Sequence, residues 1–217
     1  MNYTIAELFN FSILVPAVTA WIRFKKVNPI FLPVVYFIWI GTLNEIISLI
    51  INLAGYSNAI NSNIYVLIEA CILTLQFAKW DLFRKKESLY KIVLISLLVF
   101  WLLENFVVGS IRQFSSYFRI YYSFLVALMS VTEINRLIVT DRKNLFKNPI
   151  FLFCIGFIIY FTYKVLVETF WVYGLNYKRT FRNSVYDILL WINLFANLTY
   201  ATGFLWMNRK LRFTPPF

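Results

Sequence analysis

The sequence predicts an all-α, polytopic membrane protein of seven transmembrane helices, and three observations carry that expectation. Of its 217 residues, 60% are hydrophobic and 20% aromatic, more apolar surface than a soluble domain of this size can hide. Seven apolar segments follow one another from end to end, each near the roughly 20 residues that a spanning helix needs. Basic residues gather in alternate gaps between them, the pattern that sets membrane topology. Residues 1–217 are therefore expected to form a single transmembrane domain, with no room for a kinase, nucleotide-binding or nucleic-acid domain.

The first span is expected at 5–23. Met1 to Thr4 lead into it without a basic stretch, and no small-residue cleavage pattern follows, so it reads as a retained helix and not a signal peptide. Pro16 near its centre is expected to kink it and free a backbone carbonyl. The second span, 30–53, opens at Asn28-Pro29, where proline forfeits no helical hydrogen bond, and closes at Gly55. The third covers 62–80 and the fourth 89–108, closed by Gly109. The fifth covers 115–138. The sixth, 149–173, opens at Asn148-Pro149 and closes at Gly174, and the seventh runs 184–207. The tail after Arg212, Phe-Thr-Pro-Pro-Phe, cannot continue a helix and reads as a frayed end or a docking peptide.

Loop charge orients the bundle. One set of span ends carries Arg23, Lys25, Lys26, Lys79, Arg84, Lys85, Lys86, Lys91, Arg136, Arg142, Lys143, Lys147, Arg209, Lys210 and Arg212. The other carries Arg112, Arg119, Lys178, Arg179 and Arg182. Fifteen against five, alternating correctly through seven crossings, places the N-terminus outside and the C-terminus in the cytoplasm. The net charge of +11 thus belongs to topology and anionic lipid, not to a nucleic-acid partner.

Asn28-Pro29-Ile30-Phe31-Leu32 recurs unchanged as Asn148-Pro149-Ile150-Phe151-Leu152, and Asn61-Ser62-Asn63-Ile64-Tyr65 is echoed by Asn183-Ser184-Val185-Tyr186. Short matches among abundant residues also arise by chance. Their register is nevertheless that of two parallel three-helix repeats, 5–80 and 115–207, joined by a linker helix at 89–108, a 3+1+3 order.

Ionisable residues inside apolar spans are costly, at about 2.5 kcal/mol or more at a helix centre, and so mark candidate sites. Glu45 falls in the outer half of span two, and Glu69 near mid-depth of span three. Lys164 and Glu168, four apart in span six, share a helix face. Glu104 falls at the outer end of span four, and Asp187 in the first turn of span seven. Asn193 and Asn197 lie near the middle of span seven. Glu133 and Arg136 at the inner end of span five read as an interfacial pair. The candidate site is thus an outward-opening polar cavity of Glu45, Glu69, Lys164, Glu168, Asp187, Asn193 and Asn197. Lys164 is its cationic centre, with Glu168 as local partner and Glu45 or Glu69 across the bundle. An ion-pair network that only locks helices, a ligand-binding cavity and a proton pathway all fit this pattern.

Trp21, Trp80, Trp171 and Trp206 lie near span ends, as an interfacial aromatic belt requires. Trp39, Trp101 and Trp191 sit deeper, to pack the core or line the cavity. Histidine is absent, which removes the commonest metal ligand and general base. Cys71 and Cys154 read as small buried hydrophobes. Span seven has no lysine for a retinal Schiff base. Pro16 and Pro33 have no counterparts in the second repeat apart from Pro149, unlike sugar transporters of the 3+1+3 kind. No metal-ligand cluster, nucleophile elbow or phosphate loop is present in the sequence, so neither an enzyme nor a cofactor is expected.

Tyr65-Val66-Leu67-Ile68-Glu69, the stretch Asn148 to Tyr160 and the polar-spaced helix from Trp191 to Trp206 resemble an uncharacterised group of small seven-helix inner-membrane proteins from Bacteroidota. The resemblance implies a multi-pass protein of the bacterial inner membrane, and marks Tyr65 and Glu69 as family features. The expected function is that of a sensor or accessory subunit, passing its signal through helix contacts with a membrane-protein partner or a second copy of itself. A small-solute transporter, proton-coupled or not, is the alternative.

Overall fold

The computed structural model describes residues 9, 11–84, 87–140, 145–173 and 179–207, and of helical residues 140, 179, 180, 182, 183 and 186 the backbone alone. Every regular element among the described residues is helical: α1 (Leu14–Arg23), α2 (Leu32–Leu53), α3 (Ala59–Lys79), α4 (Glu87–Leu102), α5 (Ser116–Thr140), α6 (Pro149–Tyr173) and α7 (Arg179–Trp206). Six stretches, Pro29–Leu53, Ala59–Lys79, Glu87–Val108, Ser116–Val139, Pro149–Tyr173 and Asp187–Trp206, have 20 to 25 residues and mean hydropathies of 1.3 to 2.2. They are long and apolar enough to cross a bilayer, which marks a multi-pass membrane protein. The first expected span begins outside the described residues, as do Gly174, Lys85, Lys86 and the Phe-Thr-Pro-Pro-Phe tail.

Helix ends follow the local chemistry of the sequence. The Asn28 side-chain oxygen accepts from the Ile30 N–H at 3.1 Å, and Asn148 repeats this with Ile150 at 3.0 Å. Each asparagine thus caps the turn that its proline opens. After α2, Gly55 takes φ +78°, and the Tyr56 N–H returns to the Ile51 carbonyl at 3.1 Å. This is the left-handed termination that glycine favours. The same closure ends α3 without glycine: Asp81 adopts φ 65° and the Leu82 N–H reaches the Phe77 carbonyl. Gly109 serves differently. α4 continues as a π-helical turn over Leu103–Val108, the Gly109 N–H bonds the Glu104 carbonyl at 2.9 Å, and a Cβ there would lie 2.8 Å from that oxygen. Pro16 also departs from expectation. It lies in the first turn of α1, after a 3-10 turn at Phe11–Ile13, where its missing N–H breaks no mid-helix bond.

Six helices close a ring in the order α1, α2, α3, α5, α6, α7 and back to α1, while α4 lies outside it against α3. The two closest-packed pairs are α5 with α6 and α6 with α7. At the latter, small residues meet large rings in both directions. A Cβ on Gly156 would collide with the Tyr200 ring, and one on Gly203 would lie 3.0 Å from Phe153, so the backbones approach closely. Arg23 at the end of α1 donates to the Leu205 and Met207 carbonyls, placing a cation at the C-terminus of α7.

Polarity is arranged for lipid. Outward faces carry Leu43, Ile46, Ile47 and Ile50 on α2, and Ile92, Ile95, Val99 and Leu102 on α4, all exposed. The interior holds Asn63, Glu69, Thr74, Gln76, Ser123, Ser130, Glu133 and Lys164, all buried. In water this distribution would forfeit hydrophobic stabilisation, whereas in hydrocarbon it gives the polar groups partners. Trp80, expected at the interface, is instead 2% exposed within an aromatic core. Trp191, one of the deeper tryptophans, faces outward at 58% exposure. Trp39 packs on Trp21 and Phe24.

Candidate functional site

A cavity of about 400 Å³ enters the bundle at the end where α2 and α6 finish and α3 and α5 begin. Asn52, Asn58 and Phe114 line it near the loops, and Glu45, Lys164 and Tyr160 line it deeper. The volume is that of a small-molecule site.

Its floor is an ion pair between helices. Lys164 on α6 lies 3.3 Å from Glu69 on α3 and donates to the Tyr122 hydroxyl of α5 at 2.5 Å. Tyr122 in turn donates to the same Glu69 oxygen at 2.5 Å, and Tyr65 donates to the other oxygen at 3.4 Å. Three helices converge on one carboxylate. Lys164 is 8% and Glu69 3% exposed, so both charges are desolvated, a cost that only good geometry and further hydrogen bonds offset. The rings of Tyr122, Tyr160 and Phe161 surround the ammonium at 5.1 to 5.5 Å, adding cation–π attraction.

A second pair stands above the first. Glu168, expected to partner Lys164, instead lies 3.5 Å from Arg119, one turn into α5. Arg119 also donates to the Ser62 hydroxyl at 2.7 Å and stacks over Phe114 at 5.2 Å. By sequence it belongs with the outer loop charges, yet its side chain is 12% exposed and lines the cavity. Glu104 is not part of the site. Its carboxylate accepts from the N–H groups of Tyr117 and Phe118 at 3.0 and 2.5 Å, capping α5.

Asn44, Ser48, Asn58 and Ser62 add carboxamides and hydroxyls to the wall, beside the apolar Val66, Phe114, Val167 and Leu190. Asn61 donates to the Asn44 and Asn58 side-chain oxygens at 2.9 and 3.0 Å, and Asn58 donates to Ser48 at 2.9 Å. The neighbouring loop is held by Asn63. Its amide donates to the Ile111 and Gln113 carbonyls at 3.1 and 2.6 Å, its oxygen accepts from the Ser115 N–H at 3.1 Å, and its carbonyl accepts from the Trp101 indole at 2.8 Å. A buried network satisfied this fully fixes the loop beside the cavity mouth.

Below Lys164, aromatic rings pack the interior among the described residues. Phe161, Phe157 and Phe153 descend α6, fully buried, against Phe37, Phe77 and Tyr200. Beyond them Glu133 pairs with Arg136, whose guanidinium also donates to the Trp80 carbonyl at 2.6 Å.

Of the seven residues expected at the site, Glu45, Lys164, Glu168 and Asn193 line the cavity, and Glu69 supports its floor. Asn197 is buried beside it, donating to Ser12 at 2.8 Å and to Asn193 at 3.4 Å. Asp187 is not among the lining residues. α7 begins at Arg179, so Asp187 lies two turns inside the helix and not in its first turn. Sequence reasoning missed Arg119 as a site residue, and Tyr122 and Tyr160 as the aromatic surround of Lys164. Arg119 is separated from Tyr122 by three positions and so shares its helix face, which is the signal that was available. No protein-family model matches the chain, and no curated protein or solved structure matches it.

Proposed function

We propose that this protein is a non-enzymatic, ligand-binding sensor or accessory subunit of the bacterial inner membrane. The observation carrying this reading is a polar cavity that ends blind, on the Lys164–Glu69 pair, above a packed aromatic interior. A cavity open at one end and plugged below suits recognition. Transport additionally needs a route through, which Phe157 and Phe161 obstruct. The chain crosses the membrane seven times in this reading, with α1 completing the first span, N-terminus outside and C-terminus inside, so that the cavity faces outward. In this reading the signal passes by helix contact to a membrane-protein partner or a second copy. The loop around 79–91 and anionic lipid form the cytoplasmic contacts.

The alternative is a small-solute transporter built on a 3+1+3 repeat. The matched Asn28 and Asn148 caps, and a ring of two three-helix groups with α4 outside, favour it. Light scattering from proteoliposomes challenged with glycerol, xylose or glycine separates the two. The sensor reading predicts swelling no faster than in protein-free vesicles, with a partner or second copy co-purifying. Saturable flux lost in Lys164→Met would establish transport instead.

A further inference from the structure

The charges of the cavity and the groups left over between them constrain what it takes. We infer that its ligand is a neutral, hydroxyl-rich solute of sugar size, hydrogen-bonded by carboxamides and a tyrosine and laid against aromatic rings. This rests on the reading of the cavity as a binding site.

Charge is the first constraint. Both cations already hold protein carboxylates, Lys164 with Glu69 and Arg119 with Glu168. An anionic ligand would have to share Lys164 or Arg119 with the carboxylate each already faces, in a site where charge is costly to desolvate, and it would meet Glu45 and Glu168 on the walls. A cationic ligand meets Lys164 and Arg119 there. A neutral ligand disturbs neither pair.

Hydrogen-bonding capacity is the second. Among the described residues, the amide nitrogens of Asn44 and Asn193, the whole carboxamide of Asn52 and the hydroxyl of Tyr160 make no hydrogen bond, and all four residues line the cavity. They present donors and acceptors together, which hydroxyl groups, being both at once, match. Apolar surface is the third constraint. The rings of Tyr65 and Phe114 and the side chains of Val66 and Val167 also line the space, offering faces for the C–H side of a polyol. A volume of about 400 Å³ admits such a solute with water around it.

The test uses the full chain in detergent, with unfolding followed by tryptophan fluorescence. Probes are D-glucose, myo-inositol and xylitol, set against glucuronate and glucosamine, which keep the sugar ring and add one charge of either sign. At least one neutral probe is expected to raise the melting temperature saturably, with glucuronate and glucosamine about 10-fold weaker or worse. Tyr160→Phe removes only a hydroxyl without a protein partner, so the fold is retained, and the apparent affinity should fall up to about 10-fold. Asn193→Leu should do the same. Stabilisation by glucuronate or glucosamine above glucose, an unchanged affinity in Tyr160→Phe, or no response to any neutral probe would overturn the assignment. Binding of a charged probe would leave the cavity reading standing. Silence from every probe, with a Val167→Cys thiol unreactive from both membrane faces, would remove that reading as well.

Discussion

Lys164 places an ammonium where three helices meet, and its value depends on the partners that α3 and α5 supply. Removing one member of a buried pair leaves the other charge uncompensated, at a cost of about 3–5 kcal/mol, whereas removing both is far milder. Lys164→Met is therefore expected to lower stability by about 3 kcal/mol or more in reversible denaturation from detergent. Glu69→Gln combined with Lys164→Met should recover most of that loss, and equal losses in single and double variants would refute the coupling. Tyr122→Phe deletes the hydroxyl between the charges, and a cost of about 1.5–3 kcal/mol is expected in the same measurement. Much of this site was legible residue by residue, because a lysine and glutamates in apolar spans are conspicuous. What could not be read was which carboxylate each cation holds. Lys164 and Glu168 share a face, but helix rotation aims Glu168 at Arg119, and rotation is set by packing that no local pattern encodes. Arg119 itself was disguised by proximity to a loop.

Helices are joined at this protein's ends by side chains that replace backbone bonds. Gln76 of α3 is the clearest case. Its oxygen accepts from the Val34 N–H at 2.8 Å and its amide donates to the Ile30 carbonyl at 2.7 Å, the two groups that one ordinary helical bond would join. The side chain is thus inserted into the first turn of α2, where Pro33 and the 3-10 start at Pro29–Phe31 have opened the ladder. Asn63 performs the parallel task for residues 109–115. Asn63→Leu should release that loop while leaving the helices in place, seen as faster cleavage within 109–115 by added protease at unchanged helical circular dichroism. Gly156→Ala should cost about 1–3 kcal/mol by overpacking against Tyr200, measured by thermal unfolding. Six of the spans, the proline openings and the Gly55 closure were readable because hydropathy, proline and glycine act locally. The Asp81 turn, the π-helical end of α4 and the Gln76 insertion were not, since each depends on a neighbour or on a conformation unusual for its residue type.

At the scale of the whole molecule, buried polar groups point inward, Ile and Leu point outward, and the polar cavity lies at one end of the ring. At the other end the buried Glu133 carboxylate pairs with the partly exposed Arg136, which also donates to the Trp80 carbonyl, and Phe153, Phe157 and Phe161 pack between the two polar regions. In the proposed topology, the excess of lysine and arginine on the opposite ends puts the cavity on the outer side. Composition made the membrane class plain, while the ring order and the peripheral place of α4 came only from the packing. The central claim, an outward cavity floored by Lys164, is tested most directly by thiol accessibility. Val167→Cys, on the cavity wall, and Thr74→Cys, in the buried interior, are made with Cys71 and Cys154 replaced by serine and exposed to a membrane-impermeant maleimide. Labelling of Val167→Cys in spheroplasts, absence of labelling in inverted vesicles, and protection of Thr74→Cys from both sides is the predicted result. Labelling of Val167→Cys only from the cytoplasmic face, or of Thr74→Cys from either face, would contradict it.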